Sequence, residues 1–292
     1  MTLHHYALIF FGLYLVVIAS IAWFSRYRDG GEGFIIGSRN VGLFGTTASF
    51  VSILRSGSAL PFWFMVVTLT GYLAPFVILS YYAVLGFLAW IAPIARQKAV
   101  EQNLVTLTYL LQHNLGPQCA HWANFITLYV ALLMSAGQIF MGGTVIGGLL
   151  DIGVNAGIVL SALIVGVYLW IGGYMSLIKT DMFQFTMLCL LSFLAYFIGT
   201  LPDISDFHTS WAGIENWNLI TGLIITALVL LPFPDIWQRI FSASSGKTAR
   251  QALSLTILFD LLIVFGLVLF IVSVLDVNTG MDPFETFERV FT

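Results

Sequence analysis

Long apolar runs recur along the chain, each bounded by a short polar or basic stretch. Eight of them approach or exceed the roughly twenty residues that a helix needs to cross a bilayer. They cover residues 6–23, 41–68, 72–94, 120–149, 152–171, 182–201, 219–241 and 252–275. Between the third and fourth, the stretch 102–116 is amphipathic. Leu104, Leu107, Leu110 and Leu111 recur there at helical spacing, which predicts a helix lying on the membrane surface.

Two of the eight runs are interrupted. The run 41–68 contains Ser49, Ser52, then Arg55-Ser56-Gly57-Ser58, and Pro61; the run 219–241 contains Pro232, Pro234 and Asp235 in the string LPFPD. Gly, Pro and small hydroxyl residues break the helical hydrogen-bond ladder, and backbone groups freed in mid-membrane must face a cavity or protein. Two such interruptions, one on a run predicted to cross inward-to-outward and one on a run crossing the other way, predict an inverted five-helix repeat. They also mark the binding region of a secondary transporter. The competing reading is that Pro and Gly are simply common in membrane helices.

Composition agrees with a bilayer environment. The chain is 59% hydrophobic and 9% charged, with a mean hydropathy of +0.95, where soluble domains carry about 25% charged residues. A net charge of −3 argues against a nucleic-acid partner. Cys119 and Cys189 form no CxxC or Cys/His pattern, so neither structural zinc nor a disulfide framework is expected. No GxSxG, HExxH or P-loop motif is present, so an enzyme is not expected. The basic residues fix a sidedness. Arg26, Arg28, Arg39, Arg96, Lys98, Lys179, Arg239, Lys247 and Arg250 fall on one side of the eight-run topology and only Arg289 on the other. The positive-inside rule then predicts an outside N-terminus. The acidic stretch 202–218, with Trp211 and Trp217 as interface anchors, is outside too.

The charges inside the runs are the candidate chemistry. Asp181 stands at the mouth of the sixth run, in IGGYMSLIKTDMFQ at 171–184. It is either a helix N-cap, which Asp favours, or part of an ion path, since an acid at the centre of a membrane helix costs ~2.5–3.5 kcal/mol or more. Arg55 lies within the first interruption. It either grips a substrate carboxylate bidentately, or it forms an internal ion pair with Asp260 or Asp235, or it caps the broken helix. Gln138, in MSAGQIFMGG, either faces a cavity or bonds a neighbouring helix, and the small residues around it predict close helix packing.

Several pieces of the chain resemble the sodium:solute symporter family: FIIGSR at 34–39, TTASFVS at 46–52, GGYMSLIKTDMFQ with its TDxxQ, and PDIWQRIFSASSGKTAR at 234–250. The resemblance implies an all-α integral membrane protein with a LeuT-type core of inverted five-helix repeats. In that frame residues 1–40 are an extra N-terminal helix and loop, 41–201 the first repeat and 217–292 the start of a second, incomplete one. It implies sodium-coupled symport of a small organic solute by alternating access, in a plasma membrane (in bacteria the inner membrane), with sodium as coupling ion and no other cofactor. Sodium would meet the backbone carbonyls of Ala48 and Val51, with Ser52 beside them and Asp181 on the inward release path. Oxygen ligands of this kind suit a hard cation. The substrate region would take in Arg55, Ser56, Ser58, Gln138, Pro234 and Asp235.

The chain departs from the family pattern in two ways. It stops after the seventh core helix, so three core helices are expected to be missing, and with them half of the sodium cage. Phe50 and Leu54 stand where the family has small or polar residues, and Thr226 and Leu230 where the seventh helix would carry aromatics, which disfavours sugars and proline. Arg55 and the half-helix N-termini instead suit a carboxylate-bearing solute. The alternatives are a symporter-like sensor module or an inactive fragment.

Overall fold

The computed structural model describes residues 3–26, 31–55, 63, 66, 79–198, 221, 222, 225 and 227–274. Every named element among them is helical: α1 (Leu3–Ser25), α2 (Gly31–Ile36), a short 3-10 turn (Gly37–Arg39), α3 (Leu43–Leu54), α4 (Leu79–Glu101), α5 (Leu107–Leu115), α6 (Pro117–Leu150), α7 (Val154–Ile198), α8 (Pro234–Ser242) and α9 (Gly246–Val274). Among the described residues five helices, α1, α4, α6, α7 and α9, are long and apolar enough to cross a membrane. Their outward faces are covered with large apolar side chains such as Phe10, Trp90, Phe125, Leu132 and Trp170, as a lipid-facing surface requires. The protein is a helical, membrane-embedded one. The helix expected over 102–116 appears as α5, where Leu107 and Leu110 pack on the core and Tyr109 and Leu115 are exposed.

The connection expected across 171–184 is one residue long. Helix α7 has 45 residues and departs from helical geometry only at Gly173, with φ 57° and ψ −154°. A side chain there would both occupy the left-handed region and, as a Cβ, lie 2.6 Å from the Phe34 ring. The kink divides α7 into arms of roughly 28 and 37 Å, each a membrane's thickness. Lys179, Thr180 and Asp181, which suggested a polar loop, are helical residues of the second arm.

The first arm packs against α6, and the two helices touch backbone to backbone where Gly143 meets Ile158. This is the close packing that the small residues predict. The second arm packs on α1, α3 and α9. Helix α3 is the innermost element, buried from Gly45 to Val51. One side carries Ala48 and Val51 into a cluster with Phe185 of α7 and Ile263 of α9; the other carries Phe50 into the main core, with Leu85 and Leu88 of α4, Trp237 and Ile240 of α8, and Leu253 of α9.

One end of the bundle is tied together by backbone. Val41 N–H donates to Ser242 O at 3.0 Å and Ser244 N–H to Val41 O at 2.9 Å. This clips the segment before α3 to the connection between α8 and α9. Gly37, Ser38 and Arg39 just upstream all have positive φ, a conformation that costs non-glycine residues roughly 1–2 kcal/mol each.

Candidate functional site

Both interruptions read from the sequence mark helix ends. Helix α3 stops at Leu54, and Arg55 is its C-cap with φ −113° and ψ 40°. The residues that follow begin Ser-Gly-Ser, poor helix formers; Ser56, Ser58 and Pro61 lie outside the described residues, as do Thr226, the stretch 202–218 and Arg289. On the other side, residues 229–232 form a turn, Phe233 is extended, and α8 begins with Pro234 at its first position. Proline lacks the N–H that a first-turn residue would leave idle, and it holds the preceding residue extended. A carbonyl freed by the break is taken up by Trp237, whose Nε1–H donates to Leu231 O at 2.5 Å.

Two buried polar clusters hang on α3. In the first, Arg239 of α8 donates through Nη2 to Asp181 Oδ2 at 3.2 Å and through Nε to Ser49 Oγ at 2.5 Å. Ser49 passes its own hydrogen to Asp181 Oδ2. Ser52, one turn further along α3, donates to the backbone O of Asp181 at 3.3 Å. Asp181, Arg239 and Ser49 are 5%, 3% and 0% exposed. The cluster is thus a closed circuit of charge-assisted hydrogen bonds joining α3, α7 and α8. The N-cap reading of Asp181 does not hold, because the second arm of α7 begins seven residues earlier. Arg239, counted in sequence with the loop cations, is an interior residue.

In the second cluster, Arg55 donates from Nε to Asp260 Oδ1 at 2.6 Å and from Nη2 to Oδ2 at 2.5 Å. Tyr82 of α4 donates to the same Oδ2 at 3.1 Å, and the Trp63 ring centroid is 5.3 Å from the guanidinium carbon. Of the readings open for Arg55, the structure shows the internal ion pair, with both carboxylate oxygens of Asp260 taken by the guanidinium. Of its two expected partners, Asp260 is the one used. Asp235 is exposed at the start of α8, where its backbone O accepts from Arg239 Nη1 at 3.2 Å.

The expected sodium ligands are arranged differently from expectation. Ala48 and Val51 are fully buried but lie within the regular turns of α3, and Val51 O accepts from Arg55 N–H at 2.9 Å. Their carbonyls are helical, not freed by unwinding. The hydroxyls of Ser49 and Ser52 and the Asp181 carboxylate are the oxygens that converge here. Gln138 lies on α6, whose main packing partners among the described residues are α7, α5 and α1.

Sequence reasoning singled out Asp181 and Arg55 but missed Ser49 and Tyr82 as their partners. Ser49 was visible as a hydroxyl about one turn before Ser52 and about two before Arg55. Tyr82 gave no signal, because an aromatic in the middle of an apolar run looks like any other. No protein-family model matches the sequence, and no curated protein is similar to it.

Proposed function

We propose that the protein is a secondary transporter that couples sodium to the movement of a small organic solute by alternating access. The reading takes the fold to be a LeuT-type inverted-repeat core and the N-terminus to lie outside. The observation that carries it is the convergence on α3. A helix interrupted in mid-protein is fastened by one buried ion pair towards α7 and α8 and by another towards α9, opposite a second interruption before Pro234. Buried charges are expensive in a bilayer, and breaks in helices are tolerated only where they line something. Paired at one place, they belong to a translocation pathway more readily than to packing.

At this site the carboxylate that would draw sodium already has a cation, Arg239. Sodium and Arg239 therefore compete for Asp181. With sodium bound, Asp181, Ser49 and Ser52 supply oxygens, and Arg239 is released towards the end of α8. Release loosens α8 from α3 and α7, and so links ion binding to movement of an interrupted helix. With Arg55 held by Asp260, a carboxylate on the solute loses its main support, and the solute is left as a small organic molecule.

The test is uptake by the full-length protein in proteoliposomes with an inward sodium gradient, across a panel of radiolabelled carboxylates, amino acids and polyols. Accumulation of at least one, abolished when sodium is replaced by choline, supports symport. Accumulation that is indifferent to sodium would remove sodium coupling from the reading.

A further inference from the structure

At the clipped end of the bundle, Arg96 of α4 reaches across to both joined segments. Its Nε donates to Ala243 O at 2.6 Å and its Nη2 to Arg39 O at 3.2 Å. The residue is 6% exposed. The other deeply buried arginines, Arg55 and Arg239, each hold a carboxylate, whereas Arg96 holds only carbonyls and makes no ion pair among the described residues. Carbonyls satisfy donors but do not neutralise a charge, and an uncompensated buried charge is strongly unfavourable.

Beside it stands a second guanidinium. Arg39 donates from Nε to Glu32 at 2.8 Å, a carboxylate that is itself 58% exposed. The Nη1 of Arg39 is buried with no hydrogen-bond partner. Helix α9 starts against the same place, its Gly246 so close to Pro93, one turn before Arg96, that a Cβ would lie 2.9 Å from Pro93 Cα. Ser245 caps that helix, its Oγ accepting from Thr248 N–H at 3.0 Å, and Lys247 and Arg250 add positive charge to its first turns.

From these features we propose that the Arg39–Arg96 pair is a binding site for a phosphate-bearing anion, supplied by the headgroup of an anionic phospholipid. Among the described residues one cation lacks a counter-charge and the other has an idle, desolvated donor. Guanidinium forks match phosphate oxygens bidentately. The site lies near the ends of two membrane-length helices, α4 and α9, and exposed Phe34, Ile35 and Phe44 flank the turn that carries Arg39. A lipid phosphate sits at that depth, and acyl chains would cover those side chains. The bound headgroup would complete the junction between α3, α4 and α9. This inference is independent of the transport reading.

The test is native mass spectrometry of the delipidated full-length protein, titrated with phosphatidylglycerol, phosphatidylcholine or inorganic phosphate. Phosphatidylglycerol should bind about tenfold more tightly than phosphatidylcholine, a difference of ~1.4 kcal/mol. Arg39→Gln should remove that preference, and Lys98→Gln should keep it. Arg39→Gln removes the idle nitrogen and the exposed pair with Glu32 but leaves the Arg96 bonds, which go to backbone oxygens, in place, so it keeps the test valid even where Arg96→Gln fails to fold. Displacement of phosphatidylglycerol by millimolar phosphate would assign the site to free phosphate and overturn the lipid source. Equal binding of the two lipids, or a preference that survives Arg39→Gln, would overturn the site.

Discussion

Arg55 and Asp260 stand 205 positions apart and meet through two hydrogen bonds, Nε to Oδ1 at 2.6 Å and Nη2 to Oδ2 at 2.5 Å. The pair locks the interrupted end of α3 to the middle of α9, and Tyr82 joins α4 to it. Removing one partner of a buried pair leaves the other charge uncompensated, at a cost of roughly 3–5 kcal/mol. Arg55→Ala should therefore lower the unfolding temperature in detergent markedly, and Asp260→Asn should do the same. Arg55→Met combined with Asp260→Leu should recover most of the loss, because an apolar pair of similar volume replaces two charges. Additive losses in the double variant would show that the two side chains do not act as a pair.

Gly173 carries the second expectation. Alanine at φ 57° and ψ −154° would enter a region that only glycine visits readily, at a cost of about 1–3 kcal/mol, and its Cβ would also press on the Phe34 ring at 2.6 Å. Gly173→Ala should lower the yield of monodisperse protein in size-exclusion chromatography, whereas Gly166→Ala on the same helix, where a Cβ meets nothing within 4 Å, should be neutral or slightly stabilising. Equal behaviour of the two would mean that α7 does not need its kink.

Sidedness is checked by labelling. Asp151, in the turn between α6 and α7, is exposed, as is Ser245 at the opposite, clipped end of the bundle. In a Cys119→Ser, Cys189→Ser background, Asp151→Cys should react with an impermeant thiol reagent applied to intact cells. Ser245→Cys should react only after the membrane is opened. The reverse pattern would invert the orientation drawn from the basic residues.

How much of this was legible beforehand follows from what each kind of signal encodes. Apolar run length located α1, α4, α6, both arms of α7 and α9, because bilayer thickness acts directly on composition. The string LPFPD announced the start of α8, since proline constrains its own backbone locally. Asp181 and Arg55 drew attention because a charge among apolar residues is costly wherever it ends up. Their partners were less legible. Arg239 sits in the last residues of the run 219–241, and its count among the loop cations rests on the positive-inside rule. The fold instead carries it inward on α8, where the Asp181 carboxylate and the Ser49 hydroxyl accept from it and repay its burial. The connection between the arms of α7 was drawn too long because Lys179, Thr180 and Asp181 are polar. Their polarity serves side-chain contacts within a helix, and one glycine suffices for the bend. The resemblance gives Ala48 and Val51 free carbonyls, but whether a carbonyl is free depends on where the helix stops, and α3 runs on to Leu54.

The competition at Asp181 gives an expectation of its own in stability. With Arg239→Gln the buried carboxylate loses its internal cation. Sodium should then raise the unfolding temperature of this variant more than that of the wild-type protein, since a ligand stabilises in proportion to its occupancy of the folded state. Equal sodium shifts in both would mean that Arg239 and sodium do not share the carboxylate.

Binding of radiolabelled sodium to the purified full-length protein, measured by scintillation proximity, is the most direct test of that shared site. Binding should be saturable and resist excess potassium. It should tighten on the order of tenfold in Arg239→Gln, equivalent to ~1.4 kcal/mol, and weaken strongly in Asp181→Asn, although Asn would cap a helix as well as Asp does. Absence of saturable sodium binding in all three proteins, or identical binding in wild type and Asp181→Asn, would show that sodium does not act at Asp181.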